Sequence, residues 1–116
     1  IEAALRDSAT REMKATAAAL KKHGSDMGGF HLWRREFFAD HAEYTERKLR
    51  PIGKAAAALF GKDESPYISM LAEFARARTE NHSMTANEPG AAETWADRVP
   101  DEVAELLELI GGNGHV

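Results

Sequence analysis

The sequence predicts an all-α fold, a small bundle of two long antiparallel helices and three shorter ones. Three observations carry this expectation. Apolar residues recur at the three- and four-residue intervals of a helix through most of the chain. No segment alternates apolar and polar residues as a half-buried strand does. Glycine and proline, which punctuate helices, gather at Gly24–Gly29, Pro51, Gly61–Pro66, Pro89–Gly90 and Pro100.

The first helix is expected from about Glu2 to Lys22, with Leu5, Ala9, Met13, Thr16, Ala17 and Leu20 as its apolar stripe. The alanines at 15 and 17–19 raise helix propensity and permit close approach of a neighbour. His23 to Gly29 ends it, Gly24 suiting the left-handed position that follows a helix. An aromatic helix follows from about Phe30 to Leu49. Its ring and apolar residues fall at 30, 33, 37, 41 and 44 and again at 38, 42 and 49, a spacing with two buried faces. Arg50-Pro51 is expected to break or kink it, because proline removes a backbone donor and pushes the preceding residue out of helical space. A short alanine-rich helix from Ile52 to Phe60 comes next. Ser65-Pro66 reads as a serine cap with proline at the first helical position, opening a helix to about Met84 that buries Ile68, Leu71, Phe74 and Ala75. Asn87–Gly90 is a turn, and Ala91–Arg98 forms a short helix carrying Trp95. Pro100 starts the last helix, whose Val103, Leu106, Leu107 and Ile110 share a face. Residues 1–110 then form one domain, and 111–116 a flexible tail. The expected core is Leu5, Met13, Leu20, Trp33, Phe37, Phe38, His41, Tyr44, Leu49, Leu71, Phe74, Trp95, Leu106 and Ile110.

Composition narrows the function classes. A chain of 116 residues buries roughly two-thirds of its unfolded surface on folding, enough for one core. The absence of cysteine excludes disulfides, thiolate metal sites and a cysteine nucleophile. The longest apolar run, Ala55–Phe60, is far short of the ~20 residues that span a bilayer, so no membrane partner is expected. The chain opens with Ile1 at what already reads as helix, and it is expected to be a piece of something longer. The net charge of −4 is unevenly spread. Residues 1–54 carry eleven Lys/Arg against eight Asp/Glu, while residues 55–116 carry four against eleven. This balance is poor for dedicated nucleic-acid binding, which calls for a dominating basic patch.

Signals for chemistry are sparse. None of His23, His31, His41, His82 and His115 has a second histidine four residues away, and no Glu-x-x-His motif occurs, so no metal site is expected. His41 is expected to pack between Phe37 and Tyr44 with a hydrogen bond at its tip. Phosphate-loop and dinucleotide glycine patterns and a Gly-x-Ser-x-Gly elbow are absent, so neither a cofactor nor a serine nucleophile is indicated. Asp101/Glu105 and Glu105/Glu108 read as a solvated helix face. One enzymatic alternative exists. Arg76…His82 resembles the arginine–histidine spacing of helical HEPN ribonucleases, where histidine serves as acid and base and arginine stabilises phosphate charge. Arg35…His41 repeats the spacing inside the aromatic segment, where packing is the simpler role.

Arg6…Arg11-Glu12…Leu20-Lys21-Lys22, a glycine-rich turn, and then Trp33…Phe37-Phe38-Ala39-Asp40-His41-Ala42-Glu43-Tyr44…Leu49-Arg50-Pro51 form a pattern over about residues 5–52. It resembles the C-terminal helical, or crown, region of tailed-bacteriophage portal proteins. Trp95 before a proline and a leucine-rich last helix agree with it. The resemblance implies a non-enzymatic assembly domain of a dodecameric ring through which DNA is packaged. Its partners would be further copies or other virion proteins, with transient proximity to DNA and no specific binding. Its location would be the virion interior or the host cytoplasm. An acidic surface in such a ring would not hold passing DNA.

Overall fold

In the computed structural model, which describes the backbone of residues 1–114 and the side chains of residues 1–112, every regular element is helical. Among the described residues these are α1 (Glu2–His23), α2 (Met27–Phe60), α3 (Glu64–Thr85), a single 3₁₀ turn (Ala92–Thr94) and α4 (Val99–Gly114). The all-α expectation therefore holds. The count differs: three long helices, one shorter helix and a 3₁₀ turn replace two long helices and three shorter ones.

The difference lies mainly at Pro51, where α2 runs on uninterrupted for 34 residues. Proline at this position removes the bond from residue 51 to the carbonyl of Arg47, but Pro51 and Arg47 are both exposed and water can serve that carbonyl. On the opposite face Leu49, Gly53, Ala56 and Ala57 are buried, and their packing holds the helix together across the missing bond. At Gly53 an added Cβ would lie 3.1 Å from Leu71 Cδ1 and 3.4 Å from the Ile68 backbone nitrogen, so glycine lets α2 and α3 approach closely just past the proline. Pro51→Ala restores the lost bond on an exposed face. It is expected to raise stability by about 1–3 kcal/mol in urea unfolding.

Helix starts also differ from expectation. The Asp26 side chain accepts from the Gly29 backbone N–H at 3.1 Å, capping α2 and drawing Gly28 and Gly29 into its first turn. Gly24, at φ +53°, ends α1, leaving a connection of three residues. Asp63 stands at the start of α3 in place of Ser65, and Pro66 sits within the first turn, where a missing N–H costs nothing. The segment carrying Trp95 is a turn, with Trp95 directly after the 3₁₀ element. The tail expected from Gly111 begins inside α4, which continues to Gly114; the rest of that segment lies outside the described residues.

α1 and α2 are antiparallel: Ser8 meets Thr45 while Arg11 meets His41. α2 and α3 are antiparallel too, Phe60 stacking on Tyr67 while Phe38 and Ala42 share a groove with Thr79 and Ser83. α4 lies against α1, α2 and α3 and closes the bundle, which measures 53 × 23 × 18 Å. Three apolar clusters run along it. One contains Leu5, Ala9, Leu49, Leu71, Ala75, Val99 and Leu106, the second is built on Phe30, Phe38 and Trp95, and the third on Ala56, Ala57, Tyr67 and Ile110.

Of the expected core, Leu5, Phe38, His41, Leu49, Leu71, Trp95, Leu106 and Ile110 are buried. Met13, Trp33, Phe37, Tyr44 and Phe74 are half-buried at the margins. Leu20 is a correction: it is 38% exposed, and Ala19 points inward instead. Ala17 and Leu107 are likewise exposed. The face of α1 turned to the bundle is Leu5, Ser8, Ala9, Glu12, Thr16 and Ala19. Polar residues chose that rotation, as their contacts make plain.

Candidate functional site

At mid-bundle all four helices contribute charged or hydroxyl side chains to one buried network. α1 supplies Ser8 and Glu12, α2 supplies His41 and Thr45, α3 supplies Arg78 and His82, and α4 supplies Glu102. Spacing explains why each helix offers its members together. Ser8 and Glu12, His41 and Thr45, and Arg78 and His82 are each four residues apart, one helical turn along a common face.

Glu12 is the hub, with no solvent exposure. Its Oε1 accepts from Arg78 Nη1 at 2.8 Å and its Oε2 from His82 Nδ1 at 2.8 Å. Arg78 Nε donates to Glu102 Oε2 at 2.5 Å, and Arg78 Nη1 also reaches Ser8 Oγ at 3.0 Å. Proton directions around the hydroxyls follow from the partners. Thr45 Oγ1 donates to the carbonyl of His41 at 3.0 Å, so at 2.8 Å it accepts from Ser8 Oγ. Ser8 Oγ then accepts from His41 Nε2 at 2.9 Å. The other ring nitrogen of His41, Nδ1, lies 2.7 Å from Arg11 Nη1, which can only donate. The imidazole proton therefore sits on Nε2, facing Ser8 and, at 3.4 Å, Glu12 Oε1.

Rings pack the network on both sides. His41 is stacked between Phe37 (5.4 Å, 14°) and Tyr44 (5.6 Å, 18°). The Arg11 guanidinium lies over the same two rings, 5.1 Å and 4.4 Å from their centroids, and pairs with Asp40 at 3.2 Å. His82 is stacked on Trp95 at 4.5 Å and 9°. At the surface Tyr44 donates to Asp7, a bond that holds the Asp7 carboxyl below its ordinary range and raises the Tyr44 phenol.

Burial alone would raise the Glu12 carboxyl, but hydrogen bonds from His41 and His82 and the charge of Arg78 overcome it and hold it down at about 2. Glu102 moves the other way, burial outweighing the attraction of Arg78. The consequence for stability has a definite sign. Glu12 is depressed in the folded state, so its contribution is complete above about pH 4.5 and is lost as pH falls toward 2. The size of that loss is about 3 kcal/mol, reduced somewhat by Glu102 titrating in the opposite sense. Thermal unfolding between pH 5 and pH 2 is expected to show this slope, and Glu12→Gln to flatten it.

A cleft of about 440 Å³ between α3 and α4 opens onto this network, with Asn81, Arg98, Asp101 and Glu105 around Arg78, His82 and Glu102. A groove of about 260 Å³ between α2 and α3 carries Arg35, Arg76 and Glu80. Arg76 and His82, the two residues of the nuclease alternative, therefore stand on different surfaces. Arg76 is exposed beside Arg35, and His82 is buried against Glu12 and Trp95. Arg35 and His41 are separated in the same way, one exposed and one buried. Among the described residues no group of three or more His, Asp or Glu is arranged to hold a metal ion, and no helix is long and apolar enough to cross a membrane.

The buried polar residues that sequence reading missed are Ser8, Glu12, Thr45, Arg78 and Thr79. A signal did exist for one of them: Arg78 lies one turn before His82, in line with the apolar positions Leu71 and Ala75. A scan of protein-family models, a search of curated proteins and a search of solved structures each give no match to this chain.

Proposed function

We propose that this chain is a non-enzymatic helical assembly domain, the lumen-facing crown part of a bacteriophage portal ring that takes part in head assembly and DNA packaging. What supports this reading is the segment from Trp33 to Pro51, whose residue pattern resembles portal crowns. It lies within a single helix along the bundle, its rings stacked on one another and on His41. The polar residues at the centre of the bundle are engaged with each other across four helices, an arrangement suited to holding helix register. The alternative of a HEPN-like ribonuclease or toxin–antitoxin module rests on Arg76 and His82 sharing one cleft, whereas Arg76 lines the groove between α2 and α3 and His82 the cleft between α3 and α4.

The test is the coding sequence around this segment together with the particle it encodes. A portal stem-and-wing domain upstream, and closed rings of the parent protein by electron microscopy, are the expected results. A parent protein that lacks such a domain and never closes into rings would overturn the reading.

A further inference from the structure

We infer that the cleft between α3 and α4 is a binding site for a small molecule that carries a primary carboxamide on an apolar body. The inference goes beyond the assembly reading and does not rest on it. The cleft measures about 440 Å³, within the ~300–1,000 Å³ of ligand sites. Phe74 and Ala77 give it apolar wall, while Arg78, His82 and Glu102 give it polar wall. Its route to solvent is open, since Ala77, Asn81, Arg98, Asp101 and Glu105 are all exposed.

The polar wall has unused hydrogen-bonding capacity. Arg78 spends Nε on Glu102 and Nη1 on Glu12 and Ser8, while its Nη2 has no partner. That side chain is only 3% exposed. Glu102 accepts with Oε2 alone, and its Oε1 is buried and unpartnered too. His82 donates from Nδ1 to the Glu12 carboxylate, which in the neutral ring leaves Nε2 an acceptor. Among the described residues this Nε2 forms no hydrogen bond. Buried polar atoms are almost always paired, so a donor and an acceptor left over on one cleft call for a partner. Nη2 and Oε1 are the second arms of two groups whose first arms already hold each other, and one small ligand therefore spans both.

Complementarity then selects the ligand chemistry. One donor and two acceptors on the protein match the carbonyl oxygen and the two N–H groups of a carboxamide. Two arginines and three carboxylates line the cleft, so an anion meets net repulsion. A cation with donors alone offers nothing to Arg78 Nη2 and faces the guanidinium charge. A donor at Oε1 also works against the burial that raises the Glu102 carboxyl.

Benzamide, benzoate and benzamidine, nearly equal in shape, test this when titrated into the full chain and followed by amide chemical shifts. Benzamide joins acceptor and donor, whereas benzoate has acceptors only and benzamidine donors only. Benzamide is expected to bind about tenfold or more tightly than either, because each analogue leaves a buried polar group unpaired. Its shifts should centre on Ala77, Asn81 and Asp101. Glu102→Gln replaces the unpartnered acceptor with a donor and removes a charge, so preference should move toward benzoate by about tenfold. A purely structural role for Glu102 would not reverse ligand choice in this way. Ala77→Leu, at an exposed position, fills the cleft and should weaken benzamide to a similar degree, which keeps the test open where Glu102→Gln does not fold. No benzamide binding at millimolar concentration, equal affinity for the probes, tighter binding of either analogue by the parent, or binding indifferent to Ala77→Leu would each overturn the inference.

Discussion

Glu12→Ala is expected to cost about 3–5 kcal/mol, the range found when one partner of a buried ion pair is deleted. The wild-type carboxylate is fully buried and holds Arg78 and His82 at 2.8 Å each. Removing it leaves a guanidinium that is almost wholly enclosed with Glu102 as its remaining counter-charge, and that partner is itself raised by burial. Against a total stability of about 5–15 kcal/mol for a domain of this size, such a loss takes the chain close to unfolding. Urea unfolding reads it directly. The companion variant Glu12→Leu with Arg78→Met removes both charges and should recover most of the loss, because apolar side chains of similar volume often replace a buried pair without penalty. If Glu12→Ala unfolds within 1 kcal/mol of the parent, the network contributes little and the helices are held by their apolar clusters alone.

Trp95→Ala is expected to cost a further about 3–5 kcal/mol by a different route. Trp95 is the largest fully buried side chain and sits in the connection between α3 and α4, where little regular structure exists to hold it. Its ring lies flat on His82 and edge-on to Phe38 at 6.0 Å and 86°, in one cluster with Phe30, Ala19 and Ala86. Truncation opens a cavity among side chains from three helices and uncovers the face of His82. The connection from Asn87 to Arg98 should then lose amide protection before the helices do, measurable by hydrogen exchange. Trp95→Phe keeps a ring in place and should recover about half of the loss.

Helical periodicity alone located much of this fold. Leu5, Phe38, Leu49, Leu71, Leu106 and Ile110 lie where apolar spacing placed them, and Gly24 and Gly61 end helices as their chemistry requires. Leu20 and Ala17 defeated the same reasoning for a physical cause. A stripe drawn through apolar residues turns α1 by about one position from the face that places Ser8 and Glu12 against α2 and α3. Glutamate at position 12 reads as a solvated residue until its partners, 29 and more residues away, are known. Pro51 was misread because propensity weighs a residue within its own helix, while Leu49, Gly53, Ala56 and Ala57 derive their stability from α3 and its neighbours. Of the central network only His41 was placed correctly, between Phe37 and Tyr44, since those contacts lie within one helix.

The uninterrupted course of α2 also governs how the molecule responds to force. At 34 residues and about 1.5 Å per residue it is a rod of about 51 Å, nearly the whole 53 Å length of the bundle. Shorter helices lie along it like splints, and nowhere between its ends does the rod offer a joint. A sideways load at the Asp26 end must therefore reach the Gly61 end as a tilt of the entire body, so the domain would behave as a lever and not as a spring.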